Sequence, residues 1–193
     1  MAAKPIRLIV GLGNPGAEYS RTRHNAGAWF CEEILRANGC SAKVEARFFG
    51  QIGKVTINAK SVYVLIPSTY MNDSGRSVLA VAQFYKLAPE EILVAHDELD
   101  HEAGNARLKF AGGHGGHNGL RDISRVMGNQ FARLRLGIGH PGDRNRVTSY
   151  VLGKPPTNEA DAIDHAIRCA YDVLPDLVAN GGWNKAVKNL HTD

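Results

Sequence analysis

The run Arg7–Leu12, RLIVGL, is short, rich in β-favouring apolar side chains and closed by glycine, which restricts what the chain can fold into. Such a strand is expected at the centre of a sheet, covered on both faces, and it is far too short to cross a bilayer. The residues after it supply the cover. Trp29, Phe30, Ile34 and Leu35 repeat at helical spacing within Ala26–Asn38, and Gly39 stops that helix. Val44–Phe49, Gly53–Ile57 and Val62–Ile66 read as strands separated by Gly50 and a polar turn. Asn72–Phe84 reads as a helix, Ile92–Ala95 as a buried strand, Ala106–Phe110 as a strand and Leu120–Met127 as a helix. Leu134–Ile138 is a further strand, and Glu159–Ala179 a long helix kinked at Pro175 and stopped by Gly181–Gly182. Interleaved strands and helices give an α/β fold, and the hairpin-like spacing of residues 44–66 makes the sheet mixed. The expectation is a single domain over residues 1–193, a twisted mixed β-sheet flanked by helices.

Charge is informative through its placement. Residues 104–154 carry nine basic and two acidic side chains, whereas residues 1–103 carry eleven of each. That local excess fits phosphate binding and fits equally a solvated face. The amino terminus has no long apolar stretch of a secretory signal, and the three cysteines show no CxxC spacing. A reducing, cytoplasmic setting without a disulfide framework is therefore expected.

Several motifs could carry chemistry. GLGNPG, residues 11–16, formally matches G-x-G-x-x-G, but Pro15 and the polar Glu18–Arg23 stretch delay the helix that a dinucleotide needs. The loop can equally be a tight turn, or a device presenting Asn14 at the end of a strand. In RTRHNAG, residues 21–27, His24 stands at a helix start outside any apolar stripe, so it is either a surface or capping residue or a proton carrier. Asp97 ends the buried run ILVA, where a carboxylate could orient such a histidine. In PSTYMNDSG, residues 67–75, Asn72 is an N-cap or an amide donor to an oxyanion. GGHGGHNGLRDI, residues 112–123, lets backbone pass close to a ligand, with His117 and Asn118 opening a helix. No G-x-S-x-G elbow is present, so a hydrolase built on this chain would use water as its attacker. A metal site from His96, Asp97, His101, His114 and His117 competes, although His114 and His117 sit in a glycine loop rather than on a zincin helix.

Taken together, GLGNPG, RHNAG, TYMNDSG, GGHGGHNGL, HDELD and LRLGIGHPGDRNRVTSYVLGKP (residues 134–155) resemble the bacterial peptidyl-tRNA hydrolases over nearly the whole chain. The resemblance implies hydrolysis of the ester joining a peptide to the terminal ribose of tRNA, which recycles tRNA from aborted translation. It implies His24 as base, Asp97 as the carboxylate holding it, and Asn14 as the residue that selects N-blocked substrates. Asn72 and Asn118 match asparagines near the reacting ester, Tyr19 and Tyr70 match tRNA-associated aromatic positions, and Met71 and His117 line the same cleft. Arg107, Lys109 and Arg135 fall on positions linked to tRNA phosphates. Arg107 stands where the family often has lysine, so a planar fork replaces a point charge. Neither cofactor nor metal is implied, and a monomer is the default. A non-catalytic RNA-binding protein on the same fold is the reading from another class, and a nucleotide-binding enzyme is a third.

Overall fold

Leu8–Gly11 forms β1, and all four of its residues are buried. It pairs in parallel with β4 (Lys60–Pro67) on one side and with β5 (Ile92–Glu98) on the other, so the first strand lies mid-sheet. The structure is a computed structural model that describes residues 3–191. Met1, Ala2, Thr192 and Asp193, the ends of the expected 1–193 span and the start of the signal-peptide reading, lie outside the described residues. Beyond β4 come β3 (Gly50–Ile57) and β2 (Lys43–Glu45), both antiparallel. Beyond β5 come β7 (Ala132–Gly137), parallel, and β6 (Ala106–Phe110), antiparallel. The seven-stranded order is β2-β3-β4-β1-β5-β7-β6, a mixed sheet as the strand spacing predicts.

Two apolar layers cover it. On one face Ile9, Val64, Leu93, Leu134 and Leu136 pack beneath α1 (Ala26–Ala37), α5 (Thr157–Asp172), α6 (Leu174–Leu177) and α7 (Trp183–Leu190). On the other, Leu8, Val10, Leu65 and Val94 pack beneath α2 (Ser74–Phe84) and α3 (Asn118–Met127). A short helix, α4 (Val147–Val151), bridges to the α5 side. No helix among the described residues is long and apolar enough to cross a membrane.

Three expectations differ from what forms. Val44–Phe49 is not one strand: β2 ends at Glu45, Ala46–Phe48 makes a 3-10 turn, and Phe49 takes a φ of 50°. The turn drives Phe48 into the core beside Val78 and Val81, where it is 1% exposed, so burial of one ring outweighs continuation of the strand. The long helix ends at Asp172, and Pro175 belongs to the first turn of a separate helix, a position where its missing N–H costs nothing. The helices α4 and α7 have no counterpart in the sequence pattern.

The first turn of α1 lies directly on the sheet. A β-carbon on Gly27 would come within 2.1 Å of the Ala95 carbonyl oxygen, and one on Gly11 within 2.3 Å of the Gly27 carbonyl oxygen. Only backbone fits between α1, β1 and β5, and this contact holds the residues just before α1 over the end of β5. Gly27→Ala is therefore expected to lower unfolding free energy by about 3 kcal/mol or more, the upper end for overpacking, because the obstruction is backbone. Gly39→Ala, at φ +59° with open space around it, should cost only ~1–2 kcal/mol for the left-handed backbone. Urea unfolding of both variants measures the contrast, and equal losses would refute the tight-contact account.

Candidate active site

The carboxyl ends of β1, β4 and β5 open on one side of the molecule, where open parallel sheets place their functional groups. The chain leaving β1 carries Asn14, and Asn25 grips it at two points. Asn25 Oδ1 accepts the Asn14 N–H at 2.9 Å, and Asn25 Nδ2 donates to the Asn14 carbonyl at 3.0 Å. Asn14 Oδ1 in turn accepts the Met71 N–H at 2.7 Å. The side chain is thereby oriented, and its Nδ2 group remains a donor with no hydrogen-bond partner among the described residues. The helix that would mark a dinucleotide fingerprint begins only at Ala26, after a 3-10 turn over Arg23–Asn25.

That turn delivers His24. Its Nδ1 lies 3.0 Å from each oxygen of Asp97, which stands near the end of β5 and is 4% exposed. A second imidazole reaches the same carboxylate, with His117 Nε2 2.8 Å from Asp97 Oδ1. The tautomer of His117 follows from its other nitrogen. Nδ1 accepts the backbone N–H groups of Gly119 and Leu120 at 3.1 and 3.3 Å, capping α3, so the ring proton sits on Nε2 and points at Asp97. The rings of His24 and His117 lie side by side, centroids 4.9 Å apart and planes tilted by 47°. His24 thus commits Nδ1–H to the carboxylate and keeps Nε2 as a free acceptor.

Electrostatics follow from this packing. Burial alone would raise the Asp97 pKa, but the charge that His24 takes up and the hydrogen bonds from His24 and His117 outweigh it and hold the carboxyl far below its usual range. Burial works against a charged His24. The Asp97 charge and hydrogen bond overcome that, so the His24 pKa lies above the ordinary 6.5. His96, alongside on β5, donates from Nδ1 to the Asp97 carbonyl at 2.8 Å. Burial pushes His96 down to about 4.

The HDELD and HGGH histidines do not gather as the competing metal reading requires. Among the described residues, the three side chains that bring ligand atoms within 4.8 Å of one another are His24, Asp97 and His117. Those atoms already pair with each other, and His117 Nε2 is protonated by the logic of its cap. A metal could enter only by breaking that cap or the His24–Asp97 bond.

Around this buried centre lies an exposed rim. Asn72 and Asn118 are exposed, Tyr70 is 62% exposed, Tyr19 is half-buried, and Met71 and the His117 ring are buried beneath them. Asn72 is no helix cap. It lies in a 3-10 turn before α2, and the first-turn N–H of Gly75 is taken at 2.8 Å by Asp122 of α3. A β-carbon on Gly119 would come within 2.7 Å of Met71 Sδ and 2.8 Å of Leu12. This contact brings the start of α3, with Asn118, against the Met71–Asn72 turn. Tyr19 makes a backbone turn ahead of His24, and no side-chain contact ties it to the histidine pair.

The basic residues form a strip on β6 and β7. Arg107 sits opposite Arg135 and Lys109 opposite Arg133, so all four side chains share one face. Their surroundings differ. Lys109 is exposed over Gly112, Arg107 reaches the His191 carbonyl at 3.4 Å, and Arg135 pairs with Glu98 at 2.8 Å. Arg133 is 2% exposed and donates to the carbonyls of Gly112 (2.6 Å) and Gly113, pinning the glycine loop. Neither Arg133 nor Asn25 stands out in the sequence. Asn25 directly follows His24, but an asparagine at a helix start looks like a cap, and an arginine in a strand looks like surface charge.

Comparison with known proteins places this geometry. The family model described as peptidyl-tRNA hydrolase matches residues 8–193. A peptidyl-tRNA hydrolase of Pseudomonas savastanoi pv. phaseolicola is 57% identical over 189 residues, covering 97% of each chain. One from Azotobacter vinelandii is 54% identical over the same share of both. The crystal structure of peptidyl-tRNA hydrolase from Acinetobacter baumannii superposes with a TM-score of 0.95 at 49% identity, covering 100% of this chain and 97% of that one. With a family match over almost its whole length and relatives more than half identical, this chain belongs to the peptidyl-tRNA hydrolase family and is a hydrolase.

Proposed function

We propose that the protein cleaves the ester between a peptide and the terminal ribose of tRNA by His24-assisted attack of water. The observation that carries this reading is the buried His24–Asp97 pair, with the Nε2 of His24 left without a partner beside a rim of amide donors. His24 Nε2 takes a proton from water as its oxygen attacks the ester carbonyl, and Asp97 stabilises the imidazolium that forms. The carbonyl oxygen becomes an oxyanion that Asn72, Asn118 or backbone N–H groups can meet. Collapse of the tetrahedral intermediate breaks the bond to the ribose oxygen, which takes the proton back from His24. The products are intact tRNA and a peptide carboxylic acid, which releases its proton to solvent as the carboxylate.

Asn14 suits selection of N-blocked substrates, because Asn25 clamps its backbone at two points, the Met71 N–H holds its side-chain oxygen, and its Nδ2 retains donors for a peptide carbonyl. Arg107, Lys109 and Arg135 suit the phosphates of the acceptor arm, read by shape, and Tyr19 and Tyr70 offer flat surfaces for its single-stranded end. The reading is of a monomer acting in the cytoplasm, where translation supplies the substrate. The chemistry is protonic and involves no cofactor.

His24→Ala should lower turnover of N-acetyl-aminoacyl-tRNA by about 10²–10⁴-fold while tRNA affinity is largely kept. The assay is release of free tRNA in excess chelator, with unblocked aminoacyl-tRNA as the control that should stay intact. Absence of cleavage by well-folded wild type would leave an RNA-binding relative as the better account. Because the base works uncharged and its pKa is raised, kcat/KM should climb with pH through a midpoint above 6.5. In Asp97→Asn the carboxylate charge is gone and only burial acts on His24, so that midpoint should fall as the rate drops. An unmoved midpoint would remove Asp97 from the relay. Arg107→Ala with Lys109→Ala should weaken tRNA binding and flatten the log–log salt dependence by about one for each phosphate no longer held. An unchanged slope would place the tRNA elsewhere.

A further inference from the structure

His117 joins two structures that are otherwise separate, the N-terminus of α3 and the carboxylate behind the proposed base. Its Nδ1 is occupied by the N–H groups of Gly119 and Leu120, and its Nε2–H is directed at Asp97 Oδ1. Oδ1 therefore serves two imidazoles, because His24 Nδ1 lies 3.0 Å from it as well as from Oδ2. We propose that His117 is a positioning residue that fixes the Asp97 carboxylate through a hydrogen bond locked by its own helix cap and moderates the pull of Asp97 on His24, so that the base gives up its proton more readily than it would beside Asp97 alone. The inference rests on the hydrolytic reading of His24 and adds to it the element that sets its working pH.

The physical argument is one of shared charge. A carboxylate that accepts a second hydrogen bond holds less electron density for the first donor, and its preference for a charged neighbour weakens. Without His117, Asp97 would lean on His24 alone, and His24 would keep its proton to higher pH. The cap makes the bond dependable, because turning the His117 ring over, or moving its proton from Nε2 to Nδ1, would set a donor against two backbone donors.

The other titratable groups around the pair leave this role open to His117. His96 meets the His117 ring edge-on at 5.2 Å and commits its Nδ1–H to the Asp97 backbone. Glu98 on the same strand is paired with Arg135 of β7. On the α4 and α5 side, Arg23 pairs with Glu159 at 3.1 Å and lies over the Tyr150 ring. His101, beyond the end of β5, makes no side-chain hydrogen bond to Asp97. Among the described residues, the carboxylate oxygens of Asp97 take hydrogen bonds from His24 and His117.

His117→Asn separates the two functions of the residue. Asparagine is a strong N-cap, so α3 keeps an acceptor for its first turn, but its side chain is too short to reach Asp97. His117→Ser, also a cap former, serves as the second variant. Thermal melts establish that both are folded, and NMR titration of the His24 ring in the free protein reads the coupling without substrate. The His24 midpoint should rise by about half to one pH unit in both variants. The acid limb of the kcat/KM profile should move with it, lowering the rate there roughly three- to tenfold and recovering at high pH. A His24 midpoint that stays in place or falls in a folded variant overturns the proposal. Wild type that fails to cleave N-acetyl-aminoacyl-tRNA defeats the hydrolytic reading and the catalytic role of His117 together, whereas the NMR titration separately decides whether the coupling exists.

Discussion

A carboxylate almost out of reach of water governs the arrangement of this molecule. The Asp97 side chain is 2% exposed, and a buried ion costs several kcal/mol unless partners compensate it. Its partners come from far away along the chain. His24 is 73 residues before it and His117 is 20 after it, each at the opening of a different helix. The charge is tolerable only when β5, the approach to α1 and the start of α3 are all in place. Stability of the fold and readiness of the site are in this sense one property. The two imidazoles keep Asp97 ionised, and its charge in turn lifts His24, which suits the roles of base and supporting anion proposed for them.

Close backbone contacts make that convergence possible. Gly11 and Gly27 let α1 sit on β1 and β5 with no side chain between them, and Gly119 lets α3 close on Met71 and Leu12. Arg133 then ties down the loop that carries the chain to His117. Its guanidinium is buried against Phe131, and two glycine carbonyls take the hydrogen bonds. A loop with so many glycines has little stiffness of its own, so its order comes from this strand residue and from the cap of α3.

The pattern of the sequence carried much of the fold because its period reports burial. The run at β1, the helical spacing in α1 and the strands β3 and β4 formed close to where apolar periodicity put them. It failed where a local signal and a tertiary demand disagreed. Glu45–Phe49 contains no glycine or proline to announce a turn, yet Phe48 is drawn inward and Phe49 is left with a left-handed backbone. Within the candidate site, His24 and Asp97 were visible because a histidine at a helix start and a carboxylate ending a buried strand stand out from their neighbours. Asn25 and Arg133 were not, since a clamp on Asn14 or on a glycine loop exists only in three dimensions. The basic excess of residues 104–154 is also less uniform than a count implies. Arg133 is internal, Arg135 is held by Glu98 and Arg125 by Asp122, so exposed Lys109 is a far freer cation than its neighbours on the strip.

The site thus divides by burial into two kinds of residue with different physical consequences. Asp97, His24, His117, Asn25 and Arg133 are knitted into the fold by hydrogen bonds whose loss strands a buried polar partner, at about 1–3 kcal/mol each and more where a charge is involved. Changes there disturb stability and chemistry together, and a lost activity alone cannot assign a role to them. Asn72, Asn118, Tyr70 and Lys109 are exposed, and surface substitutions away from special contacts usually move stability by no more than about 0.5 kcal/mol. Effects on catalysis or binding at the rim can therefore be read directly. For the buried centre, a proton titration on His24 is the cleaner instrument, because it reports the charge balance around Asp97 whether or not substrate is turned over.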